Sequence, residues 1–252
     1  MADYTVDAVD KALGLLFLVA QQPGLGVTEL AKRSGNTKAR AFRLLETLEQ
    51  GGLVQRELGN ATYILGYKAF YLGAAASEQL SLARLAKRHL EEIGSCSNET
   101  VLIRIRDGLE TVSIARWDST HAVRIHSEIG NRRPLYVGAS GKLLLAYAPA
   151  DVQTKVLQGD MEKFTPNTIT SPTKLKKELS KILTQGYAVS FAERTSDTVS
   201  IAAPVRDVSG EVIAAISITG PSTRMREEIL PKLTDTILDG ARRLSRELGY
   251  IE

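Results

Sequence analysis

"GNTKARAFRLLETLEQGGLVQ" occupies residues 35–55. Five basic residues, Lys32, Arg33, Lys38, Arg40 and Arg43, fall around its front half with no acid among them. Its back half is apolar and acidic, with Ala41, Leu44, Leu45 and Leu48 at helical spacing. Asn36 or Thr37 is placed to cap this helix, and Gly51-Gly52 to end it. Positive charge at the front and leucines behind suit a helix whose first turns meet a polyanion while its last turns pack on a core.

Upstream, Val6, Val9, Leu13, Leu16, Phe17 and Ala20 recur as one face of a helix that Pro23 and Gly24 terminate. Thr28 is expected to cap a short helix over residues 29–33, stopped by Gly35. Downstream, "LVQRELGNATYIL" reads as a hairpin, with strands over 53–57 and 62–65 and a turn at Gly59-Asn60. Helix, short helix, helix and hairpin make a winged helix-turn-helix, whose second paired helix enters the DNA major groove. The candidate DNA contacts are Thr28, Thr37, Lys38, Ala39, Arg40 and Arg43, with Arg56 and Asn60 in the wing. The first eighty residues hold eight Lys or Arg and eight Asp or Glu, so the case rests on where charge sits. The competing reading is a winged helix that binds protein.

The chain has 252 residues, a formal charge of +3 and 43% hydrophobic residues, an ordinary globular composition with room for two domains. Its one cysteine, Cys96, excludes an internal disulfide and a cysteine-only metal site, and fits a reducing compartment. The apolar run Leu13–Ala20 is far too short for a membrane span. Asp3, Asp7, Asp10 and the Gln21-Gln22-Pro23 stretch do not fit a secretory signal. A cytoplasmic protein with no membrane partner is expected.

Residues 67–76 are rich in Ala and Gly, with Tyr67, Phe70 and Tyr71 at helical spacing, which suits a connecting helix with a face for a dimer mate. Leu82, Leu85, Ala86, Leu90 and Ile93 mark another amphipathic helix. Strands are expected in "ETVLIRIRD", "ETVSIARW", "AVRIHSEIG", "VSIAAPVRD" and "VIAAISITG", and helices in "ASGKLLLAYA", "KLKKELSKILTQG" and residues 225–248. The class is α+β: an antiparallel sheet with flanking helices. The expected division is 1–66 for the DNA-binding module, 67–80 for the linker helix and 81–252 for the second domain.

Enzyme chemistry finds little support. "GASGK" at 138–142 is no P-loop, since Tyr136 stands where the first glycine is needed and Leu143 follows the lysine. Nor does it match a G-x-S-x-G elbow. His89, in "AKRH", is expected at the surface, and His121 and His126 on opposite faces of a strand. No cofactor or metal set is apparent. A binding pocket reads better: Ser217 and Thr219 share one strand face, Ser200 lies in another apolar strand, and Ala139 and Ser140 open a helix. Two alternatives stay open. One is an enzyme acting on a small organic acid with a fused winged helix; the other is a ligand-independent DNA-binding protein with a vestigial pocket.

Several stretches resemble the IclR-type bacterial transcription regulators. "VDAVDKALGLLFLVA", "LGVTELAKRSGNTKARAFRLLETLEQGGLVQRE" and "YILGYKAFYLGAAA" are similar to the family's N-terminal module. "LEEIGSCSNETVLIRIRDGLETVSIAR", "VRIHSEIGNRRPLYVGASGKLLLAYAP" and "GYAVSFAERTSDTVSIAAPVRDVSGEVIAAISITGPSTRM" are similar to its C-terminal domain. The resemblance implies a GAF-like effector domain and a homodimer or homotetramer on a pseudo-palindromic double-stranded operator of a catabolic operon, with RNA polymerase as a further candidate partner. It implies a small organic acid effector at Ala122, Ile125, Arg133, Ala139, Ser140, Ser190, Thr198, Ser200, Ser217 and Thr219. Ser190 stands where many members have Asp, Ser200 where many have Cys, and Tyr136 where many have His. Arg133 replaces a residue that is often apolar. These departures favour an anion. With Tyr136, Phe191 and Trp117 as flat surface, an aromatic carboxylate is the expected effector and a short aliphatic keto-acid the alternative.

Overall fold

A computed structural model describes residues 5–57, 59–79 and 81–251. The chain divides into two compact units, residues 1–79 and 80–252. Residue 80, where the linker is expected to end, lies outside the described residues.

The first unit runs α1 (Asp7–Gln21), β1 (Leu25–Gly26), α2 (Val27–Arg33), α3 (Lys38–Gln50), β2 (Val54–Arg56), β3 (Thr62–Leu65) and α4 (Tyr67–Gln79). The three strands form an antiparallel sheet in the order β1-β3-β2. The added strand, β1, is only two residues long, so no period announces it. Leu15, Val19, Leu30, Ala41, Leu45, Leu48, Val54 and Tyr63 are the core. The expected α1 exists but buries another face. Val6, Val9, Leu13 and Phe17 are exposed, and Leu15 and Val19 are fully buried. The stretch 13–20 is apolar all round, so spacing alone does not choose its inner face. Thr28 does not cap α2: Gly26 holds the N-cap position, and Thr28 sits exposed within the first turn. Thr37 does cap α3, its hydroxyl accepting the Arg40 N–H at 3.3 Å.

The second unit runs α5 (Ser81–Ser97), β4 (Thr100–Asp107), β5 (Glu110–Trp117), β6 (Arg132–Pro134), α6 (Gly138–Ala146), α7 (Ala150–Gln158), α8 (Pro172–Gln185), β7 (Ala188–Phe191), β8 (Thr198–Arg206), β9 (Val212–Pro221) and α9 (Leu230–Glu247). The sheet is antiparallel throughout, in the order β6-β5-β4-β9-β8-β7. The fold is therefore mixed α+β, a winged helix-turn-helix followed by a GAF-like domain. Period-two alternation gives this sheet two unlike faces. Val101, Ile103, Val199, Ile201, Val205, Ile216 and Ile218 pack with α5 and α9 in one core. The opposite face carries small residues, Ala188, Ala202 and Ala215, in a second core with α6, α7 and α8. Small side chains let α6 lie close to the strands.

Three expectations are corrected here. Residues 122–130 form no strand but an irregular crossing whose backbone carbonyls are held by arginines. Arg224 donates to Val123 O at 3.0 Å, Arg116 to Ser127 O at 3.0 Å and Arg104 to Asn131 O at 2.7 Å. His89 is buried, not superficial, because it shares the inner side of α5 with Ala86, Leu90 and Ile93; its Nε2 lies 3.2 Å from Glu247. The closing helix begins at Leu230 rather than 225, with turns before it and Pro231 in its first turn. Helix α7 and strands β6 and β7 are additions.

Gly94 of α5 lies against the Trp117 indole, where a Cβ would overlap the ring. Gly94→Ala is expected to destabilise the protein by about 1–3 kcal/mol. The check is a lower urea midpoint at an unchanged m-value.

Candidate functional site

The front of α3 presents its charge as the sequence implies. Thr28, Thr37, Lys38, Ala39 and Arg43 are exposed, and the first turn of α3 contains no acid. Ala41, Leu45 and Leu48 point the other way into the core. Arg40 is half-buried and ion-paired with Asp7 of α1, a contact from 33 residues away that inspection of the local stretch misses. Both side chains are substantially exposed, so the pair is weak and can open.

The wing residues part company. Asn60 is exposed at the hairpin turn. Arg56 folds back onto its own unit: its guanidinium donates to the Tyr63 hydroxyl at 2.7 Å. It also sits 5.7 Å from the Phe42 ring centroid and 3.8 Å from the Glu46 and Glu49 carboxylates. Arg56 is thus occupied as a brace between hairpin and α3. Sequence position marks it as wing, but side-chain direction is set by partners seven and more residues away.

In the second unit, a cavity opens between α6 and the small-residue face of the sheet. Its volume is about 50 Å³. Ile125, Arg133, Ala139, Ser140, Ser190, Thr198, Ser200, Ser217 and Thr219 line it together, while Ala122 is exposed and does not. Strand register explains the hydroxyls. Ser190 pairs with Ser200, Ser200 with Thr219, and Thr219 with Thr100, so one rung across four strands is hydroxyl-bearing. Ser217 stands on the next cavity-facing rung, beside Leu102 and Ala202. Thr100 donates to Ile125 O at 2.8 Å and so fixes the wall that the irregular crossing supplies.

The start of α6 closes the other side. Gly138 N–H donates to Glu193 at 3.1 Å, and Ala139 N–H to the Ser200 hydroxyl at 3.4 Å. Glu193 also accepts from Lys142 at 2.5 Å. Lys142 is buried and bonds Glu178 and the Val189 carbonyl, both at 3.0 Å. The lysine of "GASGK" therefore belongs to a structural network and is not part of the cavity lining. Gly141 permits the close fit: a Cβ there would lie 2.8 Å from the Leu135 carbonyl oxygen.

Sequence reading missed Arg104, Glu193 and Arg194, which also line the cavity. Arg104 had a signal, a cation between Ile103 and Ile105 in an apolar strand. Burial first, and the neighbouring Arg133 second, push Arg104 down to about 9. Arg133 is also lowered, by burial and then by Arg194. Tyr136, Phe191 and Trp117 are absent from the lining. Tyr136 instead stacks near Phe164 and donates to Glu162 O at 3.2 Å, Phe191 is exposed, and Trp117 packs against Gly94. Among the described residues, no cluster of three His, Cys, Asp or Glu is placed to hold a metal, and no helix is long and apolar enough to cross a membrane.

A winged helix-turn-helix followed by a domain with a polar-lined cavity defines a DNA-binding regulator with a sensor domain. Residues 8–58 match the IclR helix-turn-helix domain, and residues 74–246 match the C-terminal domain of bacterial IclR transcriptional regulators. The chain belongs to the IclR family of bacterial transcriptional regulators, which are regulators and not enzymes. It is 34% identical over 247 residues to the HTH-type transcriptional regulator KdgR of Escherichia coli, covering 98% of this chain and 94% of KdgR. It is 33% identical over 243 residues to the regulator KipR of Bacillus subtilis, covering 96% and 97%. Its fold matches an IclR homologue of Microbacterium hydrocarbonoxydans complexed with 4-hydroxybenzoate, at a TM-score of 0.82, 21% identity and coverage of 96% and 99%.

Lys142→Met leaves the largely buried Glu193 and Glu178 without their cation. It is expected to cost about 3–5 kcal/mol, read as a large fall in thermal midpoint. A midpoint close to wild type would show that the network does not hold α6.

Proposed function

We propose that the chain, as a homodimer or a pair of dimers, binds a pseudo-palindromic operator through the front of α3 and that a small organic acid in the cavity modulates this binding. The observation that carries the DNA half is the exposed, acid-free first turn of α3, with Thr37 as its cap and Lys38, Ala39 and Arg43 facing outward. Lys38 and Arg43 contact phosphate or guanine, while Arg40 must first leave Asp7. Asn60 reaches the flanking backbone. Thr28 at the front of α2 supplies a further hydroxyl, and Arg56 acts only indirectly, by holding the wing. The dimer is supported by exposed apolar surface. Tyr67, Phe70, Tyr71 and Leu72 stand out from α4, as Val9, Leu13 and Phe17 do from α1 and Val6 just before it. Control of a catabolic operon, an intracellular site of action and recruitment or exclusion of RNA polymerase follow from this reading.

The effector half rests on the cavity. Its hydroxyl rung, the start of α6 and the arginines all favour an anion. With Tyr136, Phe191 and Trp117 outside the lining, an aliphatic acid fits better than an aromatic one. The 4-hydroxybenzoate of the Microbacterium homologue keeps the aromatic acid as a second reading, on likeness of fold. An effector acts only as far as it binds the DNA-competent and incompetent arrangements unequally.

Two outcomes are expected. Arg43→Ala should weaken retention of the operator fragment in a gel by about 1–3 kcal/mol, with Arg40→Ala costing less because Asp7 already competes for it. Undiminished retention by the Arg40→Ala, Arg43→Ala double variant would overturn the DNA reading. Phe70→Asp with Tyr71→Asp should shift the mass measured by light scattering towards the monomer; an unchanged mass would remove α4 from the interface.

A further inference from the structure

Three guanidiniums line the cavity with no internal counter-ion among the described residues. Arg104 is 3% exposed, Arg133 is half-buried and Arg194 is exposed. Arg104 is held from one side only. Its Nε donates to the Thr111 hydroxyl at 2.8 Å, and its Nη2 to Thr111 O and Asn131 O. Its Nη1 is buried with no partner. Arg133 bonds the Asn131 side chain at 3.2 Å, and the Arg194 guanidinium carbon lies 4.0 Å from the Phe164 ring centroid. The one acid in the lining, Glu193, already serves Lys142 and Gly138 N–H.

Unpaired buried charge is costly, and neighbouring like charges add to that cost. A fold keeps such a cluster when something else supplies the anion. The cluster also lies apart from the hydroxyl rung. Along β4 and β9, Arg104 stands opposite Ala215, whereas Ser217 and Thr219 are two and four residues further on β9. At about 3.4 Å per residue these steps are roughly 7 and 14 Å, which the long arginine side chain shortens. The guanidiniums and the hydroxyls thus fall at different places along the strands.

We propose that the effector carries two acidic groups and is a short-chain aliphatic dicarboxylate. One carboxylate sits against the α6 start with Ser200, Ser217 and Thr219, and the other against Arg104 Nη1 and Arg133. This rests on the sensor reading above and narrows its ligand class. The lowered Arg104 and Arg133 are consistent with it, since a bound carboxylate relieves both.

The test compares succinate, glutarate and adipate with butyrate, pentanoate and hexanoate on the full chain, by thermal shift at constant ionic strength. At least one dicarboxylate should bind about tenfold or more tightly than its monocarboxylate partner. Arg133→Met should weaken dicarboxylate binding by about tenfold or more and so abolish that preference. Because Arg104 also clamps Asn131 and Thr111, Arg133→Met is the primary variant. Its ligand-free midpoint gives an independent readout. Relief of like-charge repulsion should raise it, and a fall would make Arg133 a structural residue and overturn the proposal. Equal binding of mono- and dicarboxylates, or a preference that survives Arg133→Met, overturns the proposal but leaves the sensor reading intact. If no acid of either set moves the midpoint, both fail.

Discussion

The second unit turns on the ion pair between Lys142 and Glu193. Lys142 is carried by α6, and Glu193 follows β7. Through Glu178 and the Val189 carbonyl the same ammonium reaches α8 and β7. Glu193 then uses its second oxygen on the first N–H of α6. One buried charge pair thus fixes where that helix starts, how it sits over the sheet and how wide the cavity is. Such a pair is expensive to bury. Its value lies in geometry, since a methionine in place of the lysine would fill the space but leave the helix start unanchored.

The sheet divides labour between its faces. The side towards α5 and α9 is filled with Val and Ile, which pack without polar interruption. The other side alternates alanine, serine and threonine, so it approaches α6 closely and still offers hydroxyls. Stability and recognition are drawn from alternate residues of the same strands. The irregular crossing from residue 118 to 131 completes the cavity wall, and three arginines from β4, β5 and the turn after β9 satisfy its carbonyls.

Much of this was legible in the residues. The cap, charge and leucines of α3 stand together in thirteen residues and need no distant information. The positions of Ser200, Ser217 and Thr219 follow from period two once β8 and β9 are recognised as strands. What escaped depends on partners remote in sequence. The inner face of α1 was illegible because that helix is apolar on more than one side. Arg56 reads as a wing contact until Tyr63 and Phe42 claim its guanidinium. Residues 122–130 alternate like a strand, yet the Arg224 and Arg116 guanidiniums and the Thr100 hydroxyl, not a ladder of strand bonds, hold the carbonyls of Val123, Ser127 and Ile125. Tyr136 and Trp117 suit ligand surface by residue type, but each is absorbed by its own local packing.

The contact between Arg40 and Asp7 bears on how the protein searches a chromosome. A free arginine on a reading surface is drawn to every backbone it meets, and that attraction carries no sequence information. An aspartate held beside it acts as a decoy. It blunts indiscriminate sticking, and the arginine is surrendered only where a base edge or a well-placed phosphate offers more than the carboxylate does. If Arg40 reads the operator as proposed, the aspartate sharpens selectivity at some expense of grip.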